Sequence, residues 1–306
     1  MLHEHRRQSS GHQTIPVQQL GLEGLPARIY LPDERPSLDQ LAKDFGEDNF
    51  LMVRTATADE ARNLPRLAGS TLAGAASWIN KLPIDLTVII QPYDEVIFSA
   101  ELVVHGDAYV AELVPGIWEL ATNLTPTVVH CEAGVIQTIA WEADDQPASF
   151  HNINRGYYVR PARISDWQVA VMTAWVRNHY DGIVRAGGRF SDSFGLKLHY
   201  AARFGLSPQN IRTNIPVVED PVDEAPPSRL GRVSTLADDI PHGTAVLLDI
   251  SIAREAHSQL DGLISRMLLA QVPVVYLKSG LLSHLAINLR EAGLTVRRFD
   301  GRFLRS

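Results

Sequence analysis

Cysteine is almost missing from this chain. Cys131 is the one thiol in 306 residues, so neither an internal disulfide nor a thiolate metal cluster can be built from it. It reads as a small buried hydrophobe rather than a nucleophile, and its solitude fits a reducing compartment. No run of about 18 apolar residues occurs, which excludes a membrane-spanning helix. Residues 1–16 are polar, with His3, His5, Arg6, Arg7 and His12 among them, and offer no apolar segment for a leader or anchor. An excess of positive charge is missing too. At a net charge of -7 and a pI near 5.9, nucleic acid and acidic membranes are not expected as partners. A cytoplasmic protein is expected.

What is present is apolar material for a large core: 45% of the residues are hydrophobic and 21% charged, over a length that suggests two domains. The clearest boundary is 217–231, where four acids and three prolines displace any apolar periodicity, as in an extended, solvated linker. It divides residues 1–216 from a tail, 232–306. In the first part, β-like runs at 86–91, 96–104, 109–114, 127–132 and 135–142 are joined by short turns, His105-Gly106-Asp107 and Ala133-Gly134 among them. That pattern predicts antiparallel hairpins. Ser165 and Gln168 then form a capping box ahead of Val169, Met172, Val176, His179 and Ile183 at helical spacing, and Gly187-Gly188 supplies a stop. The tail alternates strands (244–249, 273–277, 294–299) with helices (256–269, 285–292). The fold class expected is therefore α/β: an α+β first domain with an antiparallel sheet, followed by a small α/β domain.

The sharpest chemical signal lies in the tail. Ser283 has the character of an N-cap, which places His284 in the first turn of a helix behind a loop containing Gly280. Free amides and the positive end of the helix dipole stabilise a phosphate there, and a neutral imidazole is a nucleophile near pH 7. Arg290 lies less than two turns onward and reaches such a phosphate only if the loop brings it back. An isolated Ser-His pair of this kind is more often a histidine satisfied by a backbone carbonyl.

The wider run, Ser279-Gly280-Leu281-Leu282-Ser283-His284-Leu285-Ala286-Ile287-Asn288-Leu289-Arg290-Glu291-Ala292-Gly293, resembles the phosphohistidine motif Gly-Gly-x-x-Ser-His-x-Ala-Ile-x-x-Arg-Glu-x-Gly of the PEP-utilising family. Phosphoenolpyruvate synthase, pyruvate phosphate dikinase and rifampin phosphotransferase belong to it. Only the first glycine is lost, to Ser279. The resemblance implies an ATP-grasp-like nucleotide domain and a swivelling phosphohistidine domain, with ATP and Mg2+ as cofactors. Collinear segments support it. Leu51 to Glu60 and then Leu67-Ala68-Gly69-Ser70-Thr71 look like the family's Val-Arg-Ser-Ser segment and phosphate loop. Arg54 and Thr55 would then contact ATP phosphates, and Gly69, Ser70 and Thr71 would cover them. For Arg54 an ion pair with Asp59 or Glu60 is the plainer possibility. Val88-Ile89-Ile90-Gln91 matches the strand beside the adenine, with Gln91 at the site. Glu112 to Glu119, followed by Leu124-Thr125-Pro126, is similar to a further family segment and makes Glu119 a nucleotide-site candidate.

Departures from the family concern activity. No Gly-Gly-Lys segment precedes Arg54, and the chain has four lysines: Lys43, Lys81, Lys197 and Lys278. Where the family has Ile-Glu-Trp and Leu-Gln-x-Arg-Pro, whose Glu and Gln hold the metal, this chain offers Leu198-His199-Tyr200 and Ile211 to Pro216. His199 and Arg212 replace the metal pair, so the metal ligands are left unassigned. No acceptor domain is visible, so the acceptor is a small molecule or is supplied by a partner protein. His105, His130, His151, His179, His199, His242 and His257 show no mutual metal-ligand spacing.

The function expected first is ATP-dependent phosphoryl transfer through His284, with Ser283 and Arg290 supporting it. The alternatives are a catalytically degenerate relative that binds a nucleotide or partner in a regulatory role, and an ATP-grasp ligase.

Overall fold

The computed structural model describes residues 14–16, 27–56, 65–116, 126–132, 135–139, 150–152, 157–159, 164–189, 191–213, 215, 230–249, 252, 259–278 and 280–299. The fold is mixed α/β, as expected. In chain order a short strand β1 (Thr14–Pro16) precedes β2 (Arg28–Tyr30), helix α1 (Leu38–Phe45), β3 (Leu51–Ala56), β4 (Arg66–Ser70), α2 (Leu72–Ile79) and β5 (Thr87–Pro92). Strands β2, β5, β3 and β4, in that order, form an antiparallel four-stranded sheet. The two helices cover it: Leu41, Phe45, Leu72, Ala75 and Ile79 pack on Leu51, Val53, Val88 and Ile90. Both helices start on hydroxyl caps, with Ser37 accepting from the Gln40 amide and Thr71 from the Gly74 amide.

A larger antiparallel sheet follows, built from β6 (Val96–His105), β7 (Ala108–Pro115), β8 (Thr127–Glu132), β9 (Val135–Ile139), β12 (Ser193–Ala201) and β13 (Gly205–Thr213), with β1 on its edge. The order is β1-β13-β12-β6-β7-β8-β9. The expected hairpins are there: β6 turns into β7 through Gly106, whose φ of 60° is the left-handed value such a turn requires. The last of the expected runs is a strand over Val135–Ile139, and its remainder, 140–142, and the Ala133-Gly134 turn lie outside the described residues. A separate two-stranded ribbon, β10 (Phe150–Asn152) with β11 (Tyr157–Val159), precedes helix α3 (Asp166–Gly187). In α3 the backbone amide of Ser165 donates to Gln168 Oε1 at 2.7 Å, as the capping box predicts.

The two faces of the large sheet have opposite character. Because directly paired antiparallel residues share a face, the registers sort the side chains. Phe98, Ala100, Leu102 and Val104 of β6 join Ala111 and Leu113 of β7 and Leu196 and Leu198 of β12 under Met172, Val176 and Ile183 of α3. Cys131 packs against this cluster but is half-buried, less enclosed than the sequence suggested. On the other face Lys197 pairs with Glu101, Glu101 with Glu112, and His199 with Ser99. Val103 and Val114 flank this polar row.

The tail is a parallel sheet, β14 (Gly231–Val233), β15 (Val246–Leu248), β16 (Val275–Leu277) and β17 (Val296–Arg298) in sequential order, with α4 (Leu260–Leu269) and α5 (His284–Glu291) as crossovers. Gly231, placed by sequence in the linker, opens β14; residues 216–229 lie outside the described set. One face of this sheet, both helices, and Val103, Val114 and Ile215 from the first part form a single buried apolar cluster. No helix among the described residues is long and apolar enough to cross a membrane.

The α3 contact yields a test. A Cβ on Gly187, in the last turn of α3, would overlap the Phe194 ring, which is 2% exposed and cannot turn away. Glycine to alanine in a helix ordinarily gains up to about 1 kcal/mol. Here Gly187→Ala should instead destabilise by about 1–3 kcal/mol, measured as a lower urea midpoint with unchanged slope.

Candidate functional site

A cleft opens between the four-stranded and seven-stranded sheets. Met52 of β3, Gln91 and Pro92 of β5, Tyr93, Asp94, Val96, His199, Ala201, Phe204 and Ser207 line it, and its walls stand close, leaving a cavity of about 20 Å3. Several hydrogen bonds hold its two walls together. Gln91 Nε2 donates to Gln209 Oε1 at 3.5 Å, the Arg203 amide donates to Asp94 Oδ2 at 2.8 Å, and the Arg203 guanidinium donates to Asn49 Oδ1.

The sequence-derived nucleotide residues fall into two groups here. Arg54 and Gln91 meet: Arg54 Nη2 donates to Gln91 Oε1 at 2.9 Å, which brings a guanidinium to the edge of the cleft. Gly69 stands next to Tyr93, within 3.1 Å of its ring for a Cβ built there, and its φ of 64° disfavours any side chain. The expected covering loop is instead regular structure. Gly69 and Ser70 end β4, with Ser70 paired to Leu51, and Thr71 spends its hydroxyl on capping α2. Thr55 donates to the Pro65 carbonyl at 2.7 Å and so serves the β3–β4 connection. Asp59, Glu60 and Glu119 lie outside the described residues.

His199 occupies the cleft wall where the resemblance expects a metal-holding carboxylate. Desolvation pushes its pKa well below the ordinary histidine value, and the charges of Lys197 and Arg54 push the same way, so the ring is neutral. Its Nε2 is shielded from solvent and has no hydrogen-bond partner among the described residues. Asp94, the carboxylate on the cleft wall, accepts from the backbone amides of Glu95 and Arg203, each at 2.8 Å. No group of three or more His, Cys, Asp or Glu side chains among the described residues is placed to hold a metal ion. In a nucleotide site magnesium takes one or two protein carboxylates and draws its other oxygens from phosphates and water, and Asp94 is the carboxylate among the described lining residues.

In the tail, the local prediction holds. Ser283 is the N-cap of α5, its hydroxyl accepts from the Ala286 amide at 3.3 Å, and His284 is the first helical residue. Arg290 does fold back toward the helix start: its Nη1 donates to the Leu281 carbonyl at 2.7 Å, fixing the loop from within.

What occupies the loop was not anticipated. Glu112, from the polar face of β7, is fully buried, and its two carboxylate oxygens accept from the amides of Leu281 at 2.6 Å and Leu282 at 3.0 Å. Arg298 of β17 stands 3.6 Å from the same carboxylate. Burial pushes the Glu112 pKa up, while Arg298, the two amides and Arg290 pull it back. Glu112 thus holds the amides of the turn ahead of His284, while the first-turn amides of α5, at 284 and 285, take no part in this contact. The sequence signal was available: Glu112 sits in an alternation that turns it inward between Val110 and Val114. A buried carboxylate requires partners, but only the fold shows that they come from 169 residues away.

No family model and no curated protein matches the chain. Solved structures with a similar chain path include N5-carboxyaminoimidazole synthetase from Staphylococcus aureus (12% identity, 64% of this chain and 41% of that one, TM-score 0.33). They also include D-alanine–D-alanine ligase from Bacillus anthracis (10%, 65% and 54%, TM-score 0.37) and a D-cycloserine synthetase (14%, 64% and 58%, TM-score 0.33). The matched region spans between 41% and 58% of the length of these three proteins.

Removing Glu112 tests the docked loop. Glu112→Ala leaves two buried amides without their acceptor and removes the carboxylate facing Arg298, and should cost about 3–5 kcal/mol in urea unfolding. Glu112→Gln keeps one acceptor oxygen and should cost less. Equal stability of Glu112→Ala and the parent protein would show that the contact contributes nothing.

Proposed function

We propose that the chain is an ATP-grasp-like protein that binds ATP in the cleft between the two antiparallel sheets, with the tail acting as a docked wall and not as a travelling phosphohistidine carrier. The observation that supports the nucleotide is the convergence of Arg54, Gln91 and His199 on one cleft. Met52, Pro92, Tyr93, Val96 and Phe204 give it apolar sides, and Gln91, His199 and Ser207 give it polar edges; at about 20 Å3 it takes a base only once its two walls part. Arg54 brings a charge that never titrates and forks onto phosphate oxygens. The docked tail is supported by Glu112, which fills the amides ahead of His284, and by the apolar cluster shared between tail and sheet.

A second reading keeps the phosphoryl carrier, and the Ser283 cap with His284 in the first turn of α5 favours it. In that chemistry an imidazole nitrogen attacks the terminal phosphorus, the bond to the bridging oxygen breaks, and ADP leaves with the electron pair. The tail would first have to undock, because Glu112 ties the turn ahead of His284 to β7. An ATP-grasp ligase shares the cleft with both readings and differs by consuming ATP only when an acid and an amine are supplied.

Calorimetry with ATP and the intact protein addresses binding, and Arg54→Ala should weaken it by about tenfold or more. Incubation with ATP labelled at the β or γ phosphate addresses transfer. The docked-wall reading expects no label on the protein. An acid-labile, base-stable label that disappears in His284→Ala would replace it with the carrier, and ADP release dependent on added acid and amine would replace it with the ligase.

A further inference from the structure

At about 20 Å3 the cleft has room for about one water molecule, so its walls stand nearly shut. The bonds that cross it are bonds that a ligand has to break on entering. Arg203 makes two of them, to Asp94 and to Asn49. The bond from Gln91 to Gln209 is stretched to 3.5 Å, beyond the range of a strong hydrogen bond.

Arg203 stands at the tip of the β12–β13 hairpin, where Gly205 turns the chain with a φ of 68°. Its guanidinium lies 5.2 Å from the centre of the Phe204 ring, on one cleft wall, and donates to Asn49 Oδ1 on the other side. Asn49 is itself anchored, because its Nδ2 donates to the Phe45 carbonyl at the end of α1. The Arg203 amide donates to Asp94 Oδ2 at 2.8 Å, and Asp94 lies in the segment 93–95 that carries the chain from one sheet to the other. One hairpin tip thus grips both the opposite wall and the connection between the walls. The Arg203 side chain is exposed, so water competes for its bond to Asn49 and the grip is modest.

We propose that the β12–β13 turn is an autoinhibitory latch, in which Arg203 holds the cleft shut against its own ligand. The proposal rests on the cleft being the nucleotide site. Affinity for a cleft that is open for only part of the time falls in proportion to the open fraction, and losing the guanidinium bond raises that fraction. The sign of the effect separates this role from a ligand contact. Removing a cation that touches the phosphates weakens binding, whereas removing a latch strengthens it.

The test compares the intact protein with Arg203→Ala and Arg203→Lys by calorimetry and stopped-flow binding of ATP in Mg2+, and by residue-resolved hydrogen exchange. Arg203→Ala should bind ATP about threefold to tenfold more tightly, through faster association, with Arg203→Lys in between because it keeps the charge and a donor. ATP binding that is unchanged or weaker in Arg203→Ala overturns the latch and leaves the nucleotide site standing. The backbone amide of residue 203 survives in the variant as the donor to Asp94, so its exchange follows the opening of the cleft. It should exchange faster by a similar factor, while the amides of Leu196 and Leu198 in the core of β12 keep their rates. If neither protein binds ATP, the nucleotide site fails and exchange alone decides the latch: a faster residue 203 amide supports it, and an unchanged one overturns it.

Discussion

A buried carboxylate accepting two backbone amides sets much of the rest of this structure. Glu112 leaves water completely, and a charge there is tolerable only while Leu281, Leu282 and Arg298 stay in place. That requirement ties β7 to the turn ahead of α5 and to the last strand of the tail. Val103, Val114 and Ile215 then continue the tail's own apolar core into the first part of the chain. The polar contact fixes the register between the two parts, and the apolar surround supplies the attraction while raising the cost of any slip.

The seven-stranded sheet is what makes this arrangement possible. Its α3 face is mostly apolar and packs the core beneath that helix. Its other face is divided, with one end turned to the cleft and the other to the tail. The residues between, Lys197, Glu101 and Glu112, form a charged row that alternates in sign only once. Like carboxylates directly across a strand pair repel. The row is stable because Lys197 stands at one end of it and Arg298 approaches at the other.

Much of the fold was legible in the sequence. Alternation and short turns gave the antiparallel β6–β7 and β8–β9 pairs, the Ser165 and Gln168 pair gave the start of α3, and Ser283 gave the start of α5, because each signal acts within a few residues. The boundaries drifted where packing overrides propensity: 244–249 shortens to Val246–Leu248, and Gly231 joins β14. The site was legible in part. Arg54 and Gln91 were chosen by motif and do meet, but Gly69, Ser70 and Thr71 read as a loop because small polar residues look alike in turns, strand ends and helix caps. Glu112 escaped for a different reason. Its place between Val110 and Val114 turns it inward, but nothing local says that its partners are the amides of residues 281 and 282.

Gly280 adjoins this contact, and a Cβ there would run into the Glu112 carboxylate, with Pro126 behind it. The two positions are therefore bound to one another in descent. Any lineage that acquires a side chain at 280 must shorten or discard the acid at 112, and any lineage that retains the acid is held to glycine. Across diverged copies of this protein the pair should be inherited as a single character, kept whole or lost whole.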